Sequence, residues 1–221
     1  MNIMYNCIIF DFDGTLANTI EDLANAVNYS LKKHSLPTYP VEDYKHFVGS
    51  GVINLIRRTL GDQSNDDALV AEIKSDFDIY YGKHSMDKTY VYAGITNMLK
   101  ELNAQGIQLA VLSNKPHPFM ISLMDKLFKG INFSAVWGKK EQYPIKPNPQ
   151  SLYGIMEEIG AAKHQVIYVG DSDTDVQTAV NAGVAFAGAS WGFRGEQELL
   201  NAGAAHTFDD AEGLLRFILN S

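Results

Sequence analysis

The stretch Tyr5-Asn6-Cys7-Ile8-Ile9-Phe10-Asp11-Phe12-Asp13-Gly14-Thr15 decides the fold. It opens as a short, largely apolar run and stops at a carboxylate. That is the pattern of a strand buried on both faces whose carboxyl end opens into a site. Further along the chain the same figure returns twice. Ile107 to Leu112 leads into Ser113-Asn114-Lys115, and Gln165 to Val169 leads into Gly170-Asp171-Ser172-Asp173-Thr174-Asp175. Between and after these runs the rhythm alternates. Ile95, Met98, Leu99 and Leu102 share a helical face closed by Gly106, and residues 116–128, 150–159 and 174–182 read as helices. Residues 133–137, 184–187 and 205–208 read as short strands, followed by a last helix. This alternation predicts an α/β fold, a doubly wound, mostly parallel sheet with helices on both faces and a ligand site beyond the carboxyl ends of its strands.

One interval breaks the rhythm. Thr19 and Asp22 have capping-box spacing, and Ile20, Leu23, Ala24, Val27 and Leu31 form an apolar stripe. The helical pattern then continues through Val41, Tyr44, Phe47, Val52, Leu55, Ile56, Leu60, Leu69, Val70, Ile73 and Phe77 with no strand between. Several helices in succession are too long a connection for one βα unit. Residues 16–85 are therefore expected to form a small α-helical cap, inserted into a core made of residues 1–15 and 86–221.

Composition narrows the function. The 221 residues, 46% of them hydrophobic, can fill the core of a main domain with an insert. A net charge of -8 argues against a nucleic-acid partner, which needs concentrated Lys and Arg. The same charge repels a phosphate ester at long range, so a local cation is needed to hold one. Cys7 is the single cysteine and forms no internal disulfide, which fits a reducing compartment. No basic leader and no run of roughly 20 apolar residues is present, so a cytoplasmic protein without a membrane partner is expected. Composition does not choose between a monomer and a homodimer.

In a parallel sheet the loops after the three strands converge, and Lys146 in Lys146-Pro147-Asn148-Pro149 joins them. Carboxylates so crowded call for a cation. Mg²⁺ suits hard oxygen ligands, and no Cys/His cluster competes for zinc. Phosphoryl transfer needs a nucleophile, a proton donor for the leaving oxygen and positive charge on the phosphoryl oxygens. Asp11 and Asp13, at i and i+2, can divide the first two tasks; Lys146 supplies fixed charge and Ser113 a hydroxyl donor. Gly14 permits a sharp exit from the strand and a close approach of backbone to phosphate. Gly49-Ser50-Gly51 reads either as a helix cap or as a loop that carries cap groups to the substrate. Arg57 and Arg58 read either as a grip on a substrate carboxylate or as solvated helix arginines. Trp191-Gly192-Phe193-Arg194 reads as entrance lining or as ordinary core and loop.

Taken in order, Asp11-Phe12-Asp13-Gly14-Thr15, Ser113, Lys146 and Gly170-Asp171 with Asp175 resemble the four motifs of the haloacid dehalogenase superfamily of phosphohydrolases, over nearly the whole chain. The resemblance implies an aspartyl-phosphate on Asp11 and acid–base catalysis by Asp13. It implies Mg²⁺ on Asp11, the Asp13 backbone carbonyl and Asp171, with Asp175 orienting them. Phosphate contacts would come from Ser113, Asn114 and Lys146, with Gly14 and Thr15 alongside, and cap contacts from Gly49, Ser50 and Arg57. Dehalogenase members lack a counterpart of Asp13, so phosphate rather than halide chemistry is expected. The cap position and Val48-Gly49-Ser50-Gly51 are most similar to phosphoglycolate phosphatases, whose substrate is a small phosphorylated metabolite. A phosphosugar mutase of the same fold and a catalytically silent binding module are the alternatives. The chain departs from the common pattern at Asn18, where many members carry Asp.

Overall fold

The computed structural model describes residues 5–220. The elements in chain order are β1 (Cys7–Phe10), β2 (Ala17–Asn18), α1 (Ile20–Lys33), α2 (Val41–Phe47), α3 (Val52–Leu60), α4 (Asp67–His84), β3 (Tyr90–Val91), α5 (Ile95–Ala104), β4 (Gln108–Pro116) and α6 (His117–Leu127). They continue with β5 (Ala135–Lys139), α7 (Gln150–Ile159), β6 (Val166–Gly170), α8 (Asp173–Ala182), β7 (Ala185–Ala189), α9 (Gly195–Asn201), β8 (Thr207–Phe208) and α10 (Ala211–Leu219).

Among the described residues, six strands form one sheet in the order β5-β4-β1-β6-β7-β8, and every pairing in it is parallel. β1 lies in the middle because all four of its residues are apolar and can be covered on both faces. Ile8 and Phe10 face one apolar cluster with Leu99, Val111 and Leu214, while Cys7 and Ile9 face the other with Leu152, Ile155 and Tyr168. Alternation along one strand thus feeds two helical layers. The pairing β4-β1-β6 marks the point where the winding reverses, and such crevices hold ligands in open α/β sheets.

Helices α1 to α4 are inserted between β1 and β4 and bury their own apolar cluster, including Leu23, Val27, Tyr44, Ile56, Ile73 and Phe77. The chain enters and leaves this insert through a two-stranded antiparallel ribbon, Ala17 opposite Val91 and Asn18 opposite Tyr90. The capping box predicted at Thr19 and Asp22 does not form. Thr19 makes no side-chain cap; its hydroxyl donates to Asp13 Oδ1 at 2.6 Å. Asp22 instead accepts from the N–H groups of Lys88 and Thr89 and from the Thr89 hydroxyl. Tertiary partners with better geometry have displaced the local one. Asn18 takes the local role, accepting from the Ile20 N–H at 3.2 Å. The strand expected over 107–112 extends to Pro116, carrying Ser113, Asn114 and Lys115 within it. Helix α9 and the short ribbon were not predicted, because seven and two residues are too few to show a period. No helix among the described residues is long and apolar enough to cross a membrane.

Candidate active site

The carboxyl ends of β1, β4 and β6 bring Asp11, Ser113 and Asp171 to one edge of the sheet. Asp11, Asp13, Ser113, Asn114, Lys115, Asp171, Ser172, Phe193 and Arg194 line a cavity there, roofed by Leu23, Val48, Gly49, Gly51, Val52 and Leu55 of the insert. Its volume is about 40 Å³.

Lys146 lies behind Asp11, 2% exposed at its side chain. Its ammonium is 2.9 Å from Asp11 Oδ1 and 2.7 Å from Asp175 Oδ1, and it donates to the Tyr168 hydroxyl at 2.9 Å. The approach to Asp11 is an ion pair without hydrogen-bond alignment, so Asp11 Oδ1 is buried without an aligned partner. Burial is the first reason the Lys146 ammonium should be weakened, but Asp11 and Asp175 overcome it and hold it well above the ordinary lysine range.

Asp175 accepts from Lys146 and Tyr168 at Oδ1 and from the Ser172 N–H and hydroxyl at Oδ2, closing a capping box on α8. Its lone pairs are taken. Asp171 is less committed, accepting from the Phe193 N–H at 2.7 Å. Gly14 stands against it with φ at 86°, where a Cβ would come within 2.1 Å of Asp171 Oδ2. Only glycine meets both the backbone and the space requirement.

Asp13, two residues on, faces a different environment. It accepts from Thr19 and from the Lys115 ammonium, 3.0 Å away. Lys115 is buried against the ring of Tyr81, 4.7 Å from its centroid. Burial pulls this ammonium down, and Asp13 more than offsets that, holding it above the usual range.

The residues fit a divalent cation. Asp11, Asp171 and Asp175 each carry an oxygen within 4.8 Å of the others, those of Asp175 already accepting hydrogen bonds. Burial, reinforced by Asp175 and Asp13, pushes the Asp11 carboxyl up to about 7 against the pull of Lys146. Burial, with Asp175 and Asp11, raises Asp171 well above its ordinary value. Buried carboxylates so strained are relieved by a cation on their free oxygens, those of Asp11 and Asp171.

Asn114 lines the cavity, whereas Thr15, Ser50 and Arg57 do not. Asn114 is anchored by its side chain, which donates to the Gly49 and Lys146 carbonyls and accepts from the Lys146 N–H. Thr15 is fully buried and does not line the cavity. Ser50 and Arg57 line an open groove on the insert; Arg57 bonds the Ser64 carbonyl and Asp67, so its guanidinium is not brought to the cavity. Sequence reasoning misses Lys115, Tyr168 and Thr19 as members of the site. The tyrosine inside the otherwise apolar strand β6 is the signal that could have found Tyr168, whereas Lys115 follows two polar residues and carries no such mark.

The comparisons with known proteins point the same way. Residues 8–189 match the family model described as haloacid dehalogenase-like hydrolase. A phosphoglycolate phosphatase of Pseudomonas syringae pv. tomato is 35% identical over 213 residues, covering 94% of this chain and 78% of its own. Another, from Mannheimia succiniciproducens, is 31% identical over 224 residues, covering 99% and 100%. A crystal structure from Lactobacillus delbrueckii subsp. bulgaricus, put forward as a phosphoglycolate phosphatase, superposes with a TM-score of 0.92 at 32% identity, covering 98% and 99%.

Fold, site and relatives together define an enzyme of the phosphatase class. The chain belongs to the haloacid dehalogenase-like hydrolases.

Proposed function

We propose that this chain hydrolyses a small phosphate monoester of the phosphoglycolate type, with Mg²⁺ and through an aspartyl-phosphate on Asp11. The observation that carries the reading is the pair Asp11 and Asp13. One carboxylate is buried with an oxygen lacking an aligned partner, and the other, two residues away, is held by a hydroxyl and an ammonium.

Asp11 attacks phosphorus in line with the ester oxygen, and Asp13 delivers a proton to that oxygen as it departs. Asp13 then takes a proton from the water that attacks the aspartyl-phosphate, which frees inorganic phosphate and regenerates the Asp11 carboxylate. Lys146, the Ser113 hydroxyl and the Asn114 backbone N–H hold the phosphoryl oxygens as charge shifts. Gly14 keeps the turn close to them. Mg²⁺, held by Asp11, the Asp13 carbonyl and Asp171, would neutralise the phosphoryl oxygens and keep Asp11 ionised. Asp175 fixes Lys146 and the start of α8 in place.

Residues 16–85 act as the cap in this reading, and their separate apolar cluster supports it. The small cavity and its roof of Leu23, Val48, Val52 and Leu55 suit a short leaving group. The names of the relatives supply phosphoglycolate as the first candidate.

The test is phosphate release from p-nitrophenyl phosphate, phosphoglycolate, pyrophosphate and sugar phosphates, with Mg²⁺ or chelator, for wild type and Asp11→Asn. Release should require Mg²⁺, vanish in Asp11→Asn and favour phosphoglycolate. Release that survives Asp11→Asn would remove Asp11 as nucleophile, and conversion of a hexose 1-phosphate to its isomer without free phosphate would make the protein a mutase.

A further inference from the structure

The turn between β7 and α9 has no part in the steps above, yet it touches three regions of the molecule. The Trp191 indole N–H donates to the Thr15 carbonyl at 3.0 Å. Gly192 lies so near that a Cβ would fall 2.2 Å from the Asp171 Cβ and 2.6 Å from the Gly14 carbonyl oxygen. The Phe193 N–H donates to Asp171 Oδ2 at 2.7 Å, while its side chain packs on the apolar cluster of the helical insert. Arg194 then crosses to the insert itself. Its Nη2 donates to the carbonyls of Val48 and His46, at 3.0 and 3.3 Å, and its Nη1 lies 3.4 Å from His46 Nδ1.

Those carbonyls sit at the C-terminal end of α2, where the last groups lack helical partners and carry the negative end of the helix dipole. Arg58 takes the neighbouring Phe47 carbonyl at 2.6 Å, so two guanidinium groups close one helix end. Arg58 belongs to the insert, whereas Arg194 belongs to the sheet side. Its carboxylate partner Glu198 is 3.4 Å away and its side chain is 14% exposed, so its tightest contact is with the Val48 carbonyl. Those bonds exist only while the insert lies over the cavity.

We propose that Arg194 is a positioning residue that latches the insert over the cavity, and that Phe193 passes the latched state to Asp171. Closure and divalent-cation binding then favour each other. The inference rests on the reading of Asp171 as a metal ligand given above. Arg194 and Phe193 are consecutive, so lifting the insert pulls on the backbone N–H that orients the Asp171 carboxylate. Coupling of this kind is reciprocal by thermodynamic necessity.

The test compares wild type, Arg194→Met and Arg194→Lys. Mg²⁺ alone is titrated by calorimetry, the radius of gyration is measured by small-angle scattering, and KM and kcat are read with p-nitrophenyl phosphate. Arg194→Met should weaken Mg²⁺ binding about tenfold, the equivalent of one lost charge-assisted hydrogen bond. It should also enlarge the radius of gyration and raise KM more than it lowers kcat. Arg194→Lys, which keeps the charge without the planar fork, should fall between. The sign is decisive, because simple electrostatics predicts the opposite: removing a cation near a metal site tightens binding. Mg²⁺ binding that is unchanged or tighter in Arg194→Met overturns the proposal. Should Arg194→Met fail to fold, Arg194→Lys with wild-type Mg²⁺ affinity and wild-type scattering overturns it equally. If wild type binds no Mg²⁺, the reading of Asp171 fails separately, and unchanged scattering in either variant then overturns the latch.

Discussion

Replacing Lys146 by Met tests whether the buried charge array is held together by a single cation. Lys146 is the only lysine within ion-pair distance of Asp11 and Asp175 among the described residues, and all three side chains are nearly or fully buried. Methionine keeps most of the volume, so little of the effect comes from a cavity. What remains is two buried carboxylates without their partner, and removing one member of a buried pair costs about 3–5 kcal/mol. The loss should depend on pH. Asp11 in the folded protein already titrates at about 7 instead of 3.8, so the native state keeps a proton that the unfolded chain has released, and stability falls as pH rises through that window. Without Lys146 the Asp11 carboxyl holds its proton more tightly still, and every further tenfold gain in proton affinity costs about 1.4 kcal/mol once the pH exceeds its folded pKa. Urea unfolding of the metal-free protein at about pH 5 and about pH 8 should therefore show the deficit of Lys146→Met growing with pH. A deficit under about 1 kcal/mol, or one that shrinks toward alkaline pH, would refute the argument that Lys146 neutralises buried charge.

Other outcomes follow from the same geometry. Mg²⁺ should raise the melting temperature more at about pH 8 than at about pH 5, because Asp11, pushed up to about 7, holds a proton at the lower pH that the cation must displace, and the upward shift of Asp171 acts in the same direction; calorimetric scans showing a flat increment would count against these ligands. Gly14→Ala should lose about 1–2 kcal/mol to left-handed backbone strain and more to the overlap with Asp171 Oδ2, so it should bind Mg²⁺ poorly even where it folds, as equilibrium unfolding and metal titration would show. Arg57→Ala should leave kcat/KM for phosphoglycolate within about twofold, since its partners are Ser64 and an exposed Asp67 and such pairs contribute about 0.2–1 kcal/mol; a loss of tenfold would bring Arg57 back to the substrate.

Residues that end a buried strand were legible because two periodicities agreed on them. An apolar run of four to six residues is too short for a buried helix, and the carboxylate after it has few reasons to stand there other than a site. Asp11 and Asp171 were found this way, and the parallel sheet followed from the alternation around them. Thr19 shows where such reading stops. Its spacing to Asp22 is that of a local cap, yet Thr89 lies 67 residues from Asp22 and takes it. Long-range partners leave no mark in local spacing. Lys115 was hidden for a related reason. Lysine is ordinarily a surface residue, and the groups that offset the cost of its burial are Asp13, 102 positions earlier, and Tyr81, neither of them a local neighbour. Arg57 was attractive by type, but a helix residue's direction depends on neighbours such as Asp67 that composition does not place.

The central position of β1 has a consequence for how the molecule is made. Its two neighbours, β4 and β6, begin about 100 and 160 positions downstream. At roughly 5–20 residues per second, the first strand leaves the ribosome about 8–30 s before the β6 segment does. Through that interval Cys7-Ile8-Ile9-Phe10 is an apolar strand with unmatched edges, while the helical segment behind it can already bury its own apolar faces. Asp11, at the end of that strand, is thus synthesised well before the strands that enclose it, and a chain cut short before residue 166 leaves that strand half unpaired, a target for chaperones or proteases.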